Sequence, residues 1–444
     1  MASARSKIIP ELNNGLLILI GNSGGEKMAT IGKKLMALAV AAALGGLASS
    51  AVAGGFAIGT QSGSGTGNAF AGGAAAADDA SVAWYNPALM TLLPGKQAAA
   101  ALHVLKTSFK FENTSSTATG NDGGDGGDWA FVPNAFFTMA INPKFSFGLA
   151  FNVPFGLKTE YDPNWLGRFL AIKSEIKTVN VNPSVAYKIS DMVSIGGGLS
   201  YQRVDAKLTN QSGLGLSTLK AHDYSGYGFN LGIMIQASPD TRIGAQYRSA
   251  IKYELEGTAT FSALAAANAS IKADLKVPDS ASLSLFQRLG PQWELLADVT
   301  WTGWSTIKAL NVTCASVSAV VCPSVGAPLA GAVPTLSFNW EDTWRYGIGA
   351  NYKVSPQTKL RFGLAFDETP TNDVDRTPRL PDEDRTWVAL GVQYRPSKTS
   401  ILEVGYAHEF IKDASINRPS AGGTVVGSFE NKADILSVQY SLSF

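Results

Sequence analysis

Apolar and polar residues alternate with period two over most of the chain that follows residue 96. The C-terminal end is the clearest case: five apolar residues from Leu436 to Phe444 fall on one face, and four polar residues from Ser437 to Ser443 fall on the other. Such alternation puts successive side chains on opposite faces of a β-strand. No stretch after residue 53 offers the roughly 18 consecutive apolar residues that a membrane-spanning helix needs. The chain is therefore predicted to be all-β.

Short turns and longer polar loops alternate between these predicted strands. Proline, which fixes φ and cannot donate to a ladder, occurs in five of the six turns. The turns lie at 142–144, 190–191, 238–240, 290–292, 355–357 and 395–397, and the loops at 113–128, 157–169, 210–222, 258–270, 305–340, 367–381 and 412–427. An even number of strands with short turns on one rim is typical of bacterial outer-membrane barrels. We predict a 14-stranded antiparallel transmembrane β-barrel over residues 97–444, with both termini on the periplasmic side.

Large aromatic residues cluster near the predicted strand ends. They are Trp293, Trp301, Trp304, Trp340, Trp344, Trp387 and Tyr394. Outer-membrane barrels carry aromatic girdles where the strands meet the two membrane interfaces. A girdle is therefore the expected role, and ordinary core packing is the alternative for each residue.

The first 53 residues have the features of an export signal. Lys33 and Lys34 form a basic region, Leu35–Leu47 is a short apolar region, and small residues lead up to Ala53. The apolar region falls short of the ~18–20 residues that would span a bilayer. We expect a secretory signal peptide at 28–53, cleaved after Ala53. We expect residues 1–27 to be an upstream extension without a part in the fold, with a charged or disordered leader as the alternative.

The next segment, residues 54–96, is too rich in glycine and alanine to be a strand, yet it carries large apolar residues that need burial. A barrel of about 8 strands is filled by its own side chains, whereas roughly 16–18 strands leave an aqueous channel. A barrel of intermediate size leaks unless something sits in its lumen. We therefore expect residues 54–96 to form a hatch, or plug, inside the barrel.

Several motifs make the chain resemble one known family. They are Gly55-Phe56, Ser62–Gly67, Ala77–Ala80, Asn86-Pro87-Ala88, Trp301–Ser305, Glu341–Arg345, Leu380–Trp387 and the terminal Phe444. Together they are similar to the outer-membrane long-chain fatty-acid and hydrocarbon transporters (FadL/TodX-like) of Gram-negative bacteria, over residues 54–444. Asn86, Pro87 and Ala88 then belong to the hatch, although Asn-Pro is also a common turn starter.

The resemblance implies passive uptake of a hydrophobic small molecule, either a fatty acid or a hydrocarbon. In that family the molecule leaves sideways through a gap at the third strand, which Pro154 and Gly156 would mark here. A proline in a closed barrel breaks a ladder bond, and lipid tolerates such a break only where protein or water meets it. A simple bulge at the barrel rim is the alternative. Phe56 resembles the family's aromatic residue that enters the ligand pocket, with plain packing as the alternative.

A carboxylate ligand in an apolar pocket needs a cation, because an unpaired buried charge is costly. The resemblance puts this cation late in the fifth strand, where Arg203, Asp205 and Lys207 share one face. Charges facing lipid would cost ~2–4 kcal/mol each at the midplane, so the lumen is the expected side. Arg203 and Lys207 are both candidates, and a salt bridge to Asp205 is the alternative. The family has a second basic residue near the start of the tenth strand, and this sequence departs from that pattern, because no Lys or Arg lies between Lys308 and Arg345; this leaves room for a neutral ligand.

Composition and the number of cysteines and histidines narrow the functional classes to which the protein could belong. The 444 residues carry 36 basic and 35 acidic side chains, so a net charge of +1 gives no electrostatic case for nucleic acid. Cys314 and Cys322 are expected to form a disulfide in an exported protein; a metal site would lack neighbouring ligands. The three histidines are scattered, so we expect no catalytic site, no metal and no cofactor. We expect a monomer surrounded by outer-membrane lipid, and a lipase-type barrel enzyme and a general porin remain the alternatives.

Overall fold

The computed structural model describes residues 54–330 and 335–444. The predicted signal peptide at 28–53 and the extension at 1–27 lie outside the described residues. Most of the described chain forms one antiparallel sheet that closes on itself, because the first strand pairs with both the second and the last. No helix in the described part is long and apolar enough to cross a membrane.

Fourteen strands, numbered in chain order, follow one another round the wall. They are β1 (Lys96–Asn113), β2 (Trp129–Ala140), β3 (Phe145–Asn152 and Gly156–Glu160), β4 (Lys173–Lys188), β5 (Val193–Ser212), β6 (Gly215–Ser238), β7 (Thr241–Arg248 and Ile251–Phe261), β8 (Ala269–Val277 and Ser280–Leu289), β9 (Trp293–Thr302), β10 (Thr343–Lys353), β11 (Thr358–Asp367), β12 (Arg385–Ser397), β13 (Ser400–Ile411 and Ala414–Ser420) and β14 (Gly423–Ser443). The predicted 14-stranded antiparallel barrel is confirmed.

The strands turn their apolar side chains outward. In β12, burial and exposure alternate: Val388 and Leu390 are exposed, whereas Arg385 and Gln393 are buried. A soluble sheet would show the opposite arrangement, with apolar residues inside. Apolar-out and polar-in alternation belongs to a barrel whose outer face contacts lipid.

Two extracellular hairpins are longer than the sequence predicts. β5 and β6 continue through the expected loop at 210–222 and meet at a tight turn between Ser212 and Gly215. β13 and β14 also continue through the expected loop at 412–427 and meet between Ser420 and Gly423. In these parts of the strands the outward face carries polar residues such as Lys220 and Asn417, because they project beyond the membrane into water, where an apolar outer face is not required. The opposite face packs apolar residues such as Leu219 and Ile416 into buried clusters.

The long connection from β9 to β10 has structure of its own. It contains the 3₁₀ turn Trp304–Thr306, the short strand Ala309–Cys314, which pairs with β8, and the strand Thr335–Ser337. Cys314 and Cys322 form a disulfide in this connection, with S–S 2.05 Å, as the sequence predicts. A further 3₁₀ turn, Ala265–Ala267, lies between β7 and β8.

The aromatic girdle is only partly as expected. Trp293, Trp344 and Tyr394 are exposed on the outer face. By contrast, Trp304, Trp340 and Trp387 are between 1% and 3% exposed and belong to apolar clusters inside the protein. Sequence position near a strand end does not tell a girdle residue from a buried one, and for these three the core alternative holds.

Residues 54–95, called here the N-terminal segment, form three short helical turns: Gly63–Thr66, Val82–Tyr85 and the 3₁₀ helix Pro87–Leu92. The segment is bonded to strands all round the wall. Its donors and their acceptors are Gly63 N to Gln439 Oε1 of β14 at 2.9 Å, Asn68 Nδ2 to Asn351 Oδ1 of β10 at 3.0 Å, Ala74 N to Ser284 Oγ of β8 at 3.1 Å, and Asn86 Nδ2 to the Ile233 carbonyl of β6 at 2.9 Å.

Candidate functional site

The wall has a break between β2 and β3. The ladder between these strands ends at the pair Ala135–Phe151, and β3 is interrupted over Val153–Phe155 before it resumes at Gly156. β2 itself continues as far as Trp129 in its ladder with β1. Pro154, which has no N–H, lies at the centre of the interruption. Pro154 and Gly156 therefore sit at a real discontinuity of the sheet, at the place the sequence predicts.

The N-terminal segment is bonded into this break through its main chain. The Ile58 amide donates to the Pro154 carbonyl at 2.8 Å, and the Gly156 amide donates to the Phe56 carbonyl at 2.8 Å. The carbonyl of Phe155 accepts from the Thr178 hydroxyl of β4 at 2.7 Å. The interrupted stretch of β3 thus lies between β4 on one side and residues 56–58 on the other.

Gln61 connects the segment to both edges of the break. Its Nε2 donates to the Val153 carbonyl at 3.0 Å, and its Oε1 accepts from Asn152 Nδ2 at 2.8 Å. On the β2 side, Asn134 Nδ2 donates to the Gln61 carbonyl at 2.9 Å. Gln61 is only 2% exposed, so water does not replace these bonds readily.

Phe56 is enclosed by three aromatic rings. The ring centroids of Trp304, Trp340 and Phe155 lie 5.1, 5.7 and 5.7 Å from that of Phe56. Such tilted and edge-to-face pairs are worth ~0.5–1.5 kcal/mol each beyond area burial. Trp304 and Phe155 also line the cavity described next, whereas Phe56 packs behind them.

A cavity of about 200 Å³ adjoins the break. One side is formed by the N-terminal segment, from Ala57 to Gln61 and around Trp84 and Tyr85. Pro154 and Phe155 form the side at the break. The remaining lining comes from strands β7 to β12 and the β9–β10 connection, through Gln246, Arg248, Ser280, Ser282, Asp298, Thr300, Thr302, Trp304, Thr343, Arg345, Asp367 and Trp387.

Two arginines line this cavity. Arg345 lies 3.5 Å from the Asp298 carboxylate and donates to the Ala69 carbonyl. The Arg248 guanidinium stacks on Trp84, 3.4 Å from the ring centroid, and donates to the Trp84 carbonyl at 2.8 Å. Among the described residues, no carboxylate lies within 4 Å of Arg248. Sequence reasoning missed both residues, although Arg248 continues a polar face of β7 and Arg345 closes one of the recognised motifs.

Arg203 and Lys207 are not part of this cavity, and the expected lumen orientation is wrong. Val204, between them, is fully buried in the cluster that holds Phe56, so its neighbours on either side face outward. Lys207 and Asp205 instead line a charged groove on the outside of the barrel. The prediction applied the cost of charges in lipid to a part of β5 that lies beyond the membrane, where that cost is absent.

The Asn86-Pro87-Ala88 motif begins the 3₁₀ helix and anchors it to the wall. The Asn86 side chain accepts from the Ala88 amide at 3.0 Å and donates to the Ala74 carbonyl at 2.8 Å. A Cβ added to Gly232 of β6 would lie 2.0 Å from Asn86 Oδ1. The motif is therefore a helix-entry turn, as the alternative held, and it also docks closely against the glycine-bearing wall.

A closed barrel with an apolar outer face and an internal cavity beside a break in its wall defines an outer-membrane transport protein. The chain belongs to the outer membrane protein transport protein family (OMPP1/FadL/TodX), whose sequence model matches residues 45–444. It is 26% identical to the long-chain fatty acid transport protein of Escherichia coli (strain K12), over 92% of this chain and 98% of that protein. It is 28% identical to outer membrane protein P1 of Haemophilus influenzae, over 86% of this chain and 90% of that protein.

Solved structures agree on the fold. The crystal structure of a Pseudomonas aeruginosa FadL homologue matches with a TM-score of 0.78 and 25% identity, over 88% of this chain and 100% of the other. The Pseudomonas putida toluene transporter TodX matches with a TM-score of 0.64 over 88% of this chain and 100% of the other; at 16% identity it bears on the fold alone. The predicted family and outer-membrane location are confirmed.

Proposed function

We propose that the barrel takes up a hydrophobic small molecule by passive diffusion and releases it sideways into the membrane through the break in β3. The observation that carries this proposal is the adjacency of the cavity to the break, since Pro154 and Phe155 line both. A lateral route has a physical merit: the cargo never enters a water-filled pore, where exposure would cost ~25 cal/mol per Å² of apolar surface.

We further propose that the N-terminal segment is a hatch. Its hydrogen bonds to strands on several sides of the barrel support this role, as does its main-chain pairing with residues 154–156. Movement of residues 56–61 would break those bonds and join the cavity to the break. Phe56 would then leave its aromatic neighbours, which gives the cargo a route past Trp304. The barrel acts as a monomer, with no cofactor and no energy source, so that net flow follows the gradient.

The cargo is a hydrophobic carboxylic acid, such as a fatty acid. The support is Arg248, a half-buried cation in the cavity without a carboxylate partner among the described residues. A buried guanidinium favours a carboxylate, which it binds through two parallel N–H···O bonds. The Escherichia coli relative is named for long-chain fatty acid transport, and the Pseudomonas putida neighbour for toluene. Arg248 therefore favours a fatty acid over a neutral hydrocarbon such as toluene as the cargo.

The lateral route is tested by Pro154→Val, which restores a donor at the break. Uptake of a radiolabelled fatty acid is measured in a Gram-negative host that lacks its own transporter. We expect slower uptake with a barrel that still shows its heat-dependent shift in gel mobility. Pro419→Val is the matched control, because Pro419 lies in an extracellular hairpin away from the break. Unchanged uptake in Pro154→Val removes this strand from the mechanism.

The cargo class is tested by Arg248→Gln. Binding of a long-chain fatty acid and of the alkane of equal length is compared on the purified barrel. Loss of a charged hydrogen bond worth about 1.5–3 kcal/mol should weaken acid binding roughly 10- to 100-fold and leave alkane binding almost unchanged. Lys207→Gln is the control for a basic residue outside the cavity. Equal loss for both ligands, or a larger loss in Lys207→Gln, would contradict the assignment.

The alternatives have less support. His103 contacts the Ser437 hydroxyl at 2.6 Å, but it is fully buried beneath the N-terminal segment and its other partner is Asn134. An enzyme needs such a pair at an accessible surface with an orienting group. A general porin needs an open lumen, which the packing of residues 54–95 opposes; single-channel conductance of the purified barrel would reveal one.

A further inference from the structure

A second cavity lies at the opposite, periplasmic end of the barrel. It has a volume of about 290 Å³ and is lined by the periplasmic ends of strands β7 to β12, by the turn that joins β10 to β11, and by Ala77 and Asp78 of the N-terminal segment. It shares no lining residue with the first cavity. Five of its lining residues are basic, namely Arg242, Arg288, Lys353, Lys359 and Arg395, and two are acidic, namely Asp78 and Glu294.

Ion pairs account for three of the five cations. Glu294 contacts Lys353 at 2.8 Å and Lys359 at 3.1 Å. Lys359 also lies 3.1 Å from Asp78 of the N-terminal segment. Arg288 pairs with Asp240, at 3.0 Å, in the neighbouring turn. Asp78 is itself shared with Arg361, a lumen residue outside the cavity lining, at 3.0 Å.

Arg242 and Arg395 are the two that remain. Both are half-buried, and within residues 54–330 and 335–444 neither has a carboxylate within 4 Å. Arg242 stacks on the Phe286 ring, with its guanidinium 4.3 Å from the centroid. This contact fixes the plane of the guanidinium but does not neutralise its charge. The cavity therefore has an excess of positive charge, although the whole chain is close to neutral.

We propose that this cavity binds a small oxyanion, either phosphate or carboxylate, between Arg242 and Arg395. Guanidinium groups match the planar geometry of both anions, and a partly enclosed cationic site concentrates them. The proposal is independent of the fatty-acid site, because the two cavities have different linings. It also predicts an opposing effect of Asp78, whose carboxylate competes for Lys359 and repels an incoming anion.

The test is calorimetric titration of the purified barrel, in neutral detergent and Tris chloride, with inorganic phosphate and separately with octanoate. Binding of at least one anion is expected. Arg242→Gln combined with Arg395→Gln should weaken it at least about tenfold, since each replacement removes a charge-assisted contact. Asp78→Asn should tighten it several-fold. Lys398→Gln, an exposed change at the same end of the barrel, should have no effect.

The two anions distinguish the source of the ligand. Preference for phosphate identifies a free periplasmic anion, whereas preference for octanoate identifies a cargo head group that reaches the periplasmic end. Failure of both to bind at millimolar concentration overturns the proposal. So does equal binding by the wild type and the double arginine variant, or weaker binding by Asp78→Asn. The heat-dependent gel shift verifies that each variant is folded, and Asp78→Asn keeps the test decisive if the double variant does not assemble.

Discussion

Gln61 offers the sharpest test of how the break in the wall is closed. Its side chain donates to the Ile58 and Val153 carbonyls, at 2.6 and 3.0 Å, and accepts from Asn152 at 2.8 Å. Replacement by alanine removes these three bonds, each with a net value of ~0.5–1.5 kcal/mol, and leaves buried groups at the break without a partner. We therefore expect Gln61→Ala to destabilise the docked state of residues 56–61 by about 2–4 kcal/mol.

The assay is hydrogen exchange of the purified barrel in detergent, read on peptides that contain the Ile58 amide. That amide is bonded to the Pro154 carbonyl at 2.8 Å, so it exchanges when the segment undocks. Because 1.4 kcal/mol is a factor of ten, its protection should fall by roughly 30-fold or more. Strand amides of β12 should keep their protection, since the barrel ladder is untouched.

Gln292→Ala is the matched control, because Gln292 is an exposed glutamine in a periplasmic turn. Protection of Ile58 that changes less than about threefold in Gln61→Ala would refute the reasoning, because the bonds would then contribute under ~1 kcal/mol. A uniform loss of protection throughout the barrel would also refute it, since Gln61 would then support the whole fold rather than the closure of the break.

Three other predictions address the segment and the loops. In Gly232→Ala the new Cβ would lie 2.0 Å from Asn86 Oδ1, so the Asn86-Pro87-Ala88 motif must shift. The free energy of unfolding should fall by about 1–3 kcal/mol, measured by thermal unfolding in detergent. Replacing Cys314 and Cys322 together by serine should raise proteolysis of the β9–β10 connection and leave the barrel's gel shift intact, since the disulfide closes only a loop. Burial alone would raise the pKa of Asp78, but two neighbouring basic side chains hold it well below its ordinary value. A depressed pKa gives stability that is present above about pH 4 and is lost only as the pH falls through the folded-state pKa. The hydrogen-exchange protection of the N-terminal segment should therefore be equal at pH 7 and pH 5 in the wild type. It should be reduced at both pH values in Asp78→Asn.

The barrel could be predicted from sequence because lipid requires apolar side chains on the outward face of each strand. The alternation from Leu436 to Phe444 follows directly from that requirement, and prolines mark most of the short turns. The break was predicted from Pro154, which cannot donate to a ladder, together with the family resemblance. Proline alone is not sufficient, because Pro133 and Pro183 lie inside uninterrupted strands. The requirement for apolar outward side chains does not apply outside the membrane. The extracellular hairpins at 210–222 and 412–427 lack an apolar outward face for that reason, and their sequences therefore resembled loops.

The site was harder to predict, because alternation shows which residues share a face but not which face is inside. Arg203 and Lys207 were assigned to the lumen by a cost that applies only within lipid. Arg248 lies in the cavity, but nothing local in the sequence shows that Trp84, far away in the chain, stacks on it. Trp304 is likewise near a strand end, as a girdle residue would be, yet it packs around Phe56. Such contacts depend on how the N-terminal segment docks, which no local pattern encodes.

The contacts that close the break at Pro154 and Gly156 join main-chain atoms to main-chain atoms. Every amino acid supplies a carbonyl, and all but proline supply the amide, so these two hydrogen bonds themselves place little demand on the side chains at residues 56–58, of which Phe56 is held separately by its aromatic neighbours. On the lateral route proposed above, substitutions that reshape the cavity for another ligand would therefore leave these two main-chain bonds intact.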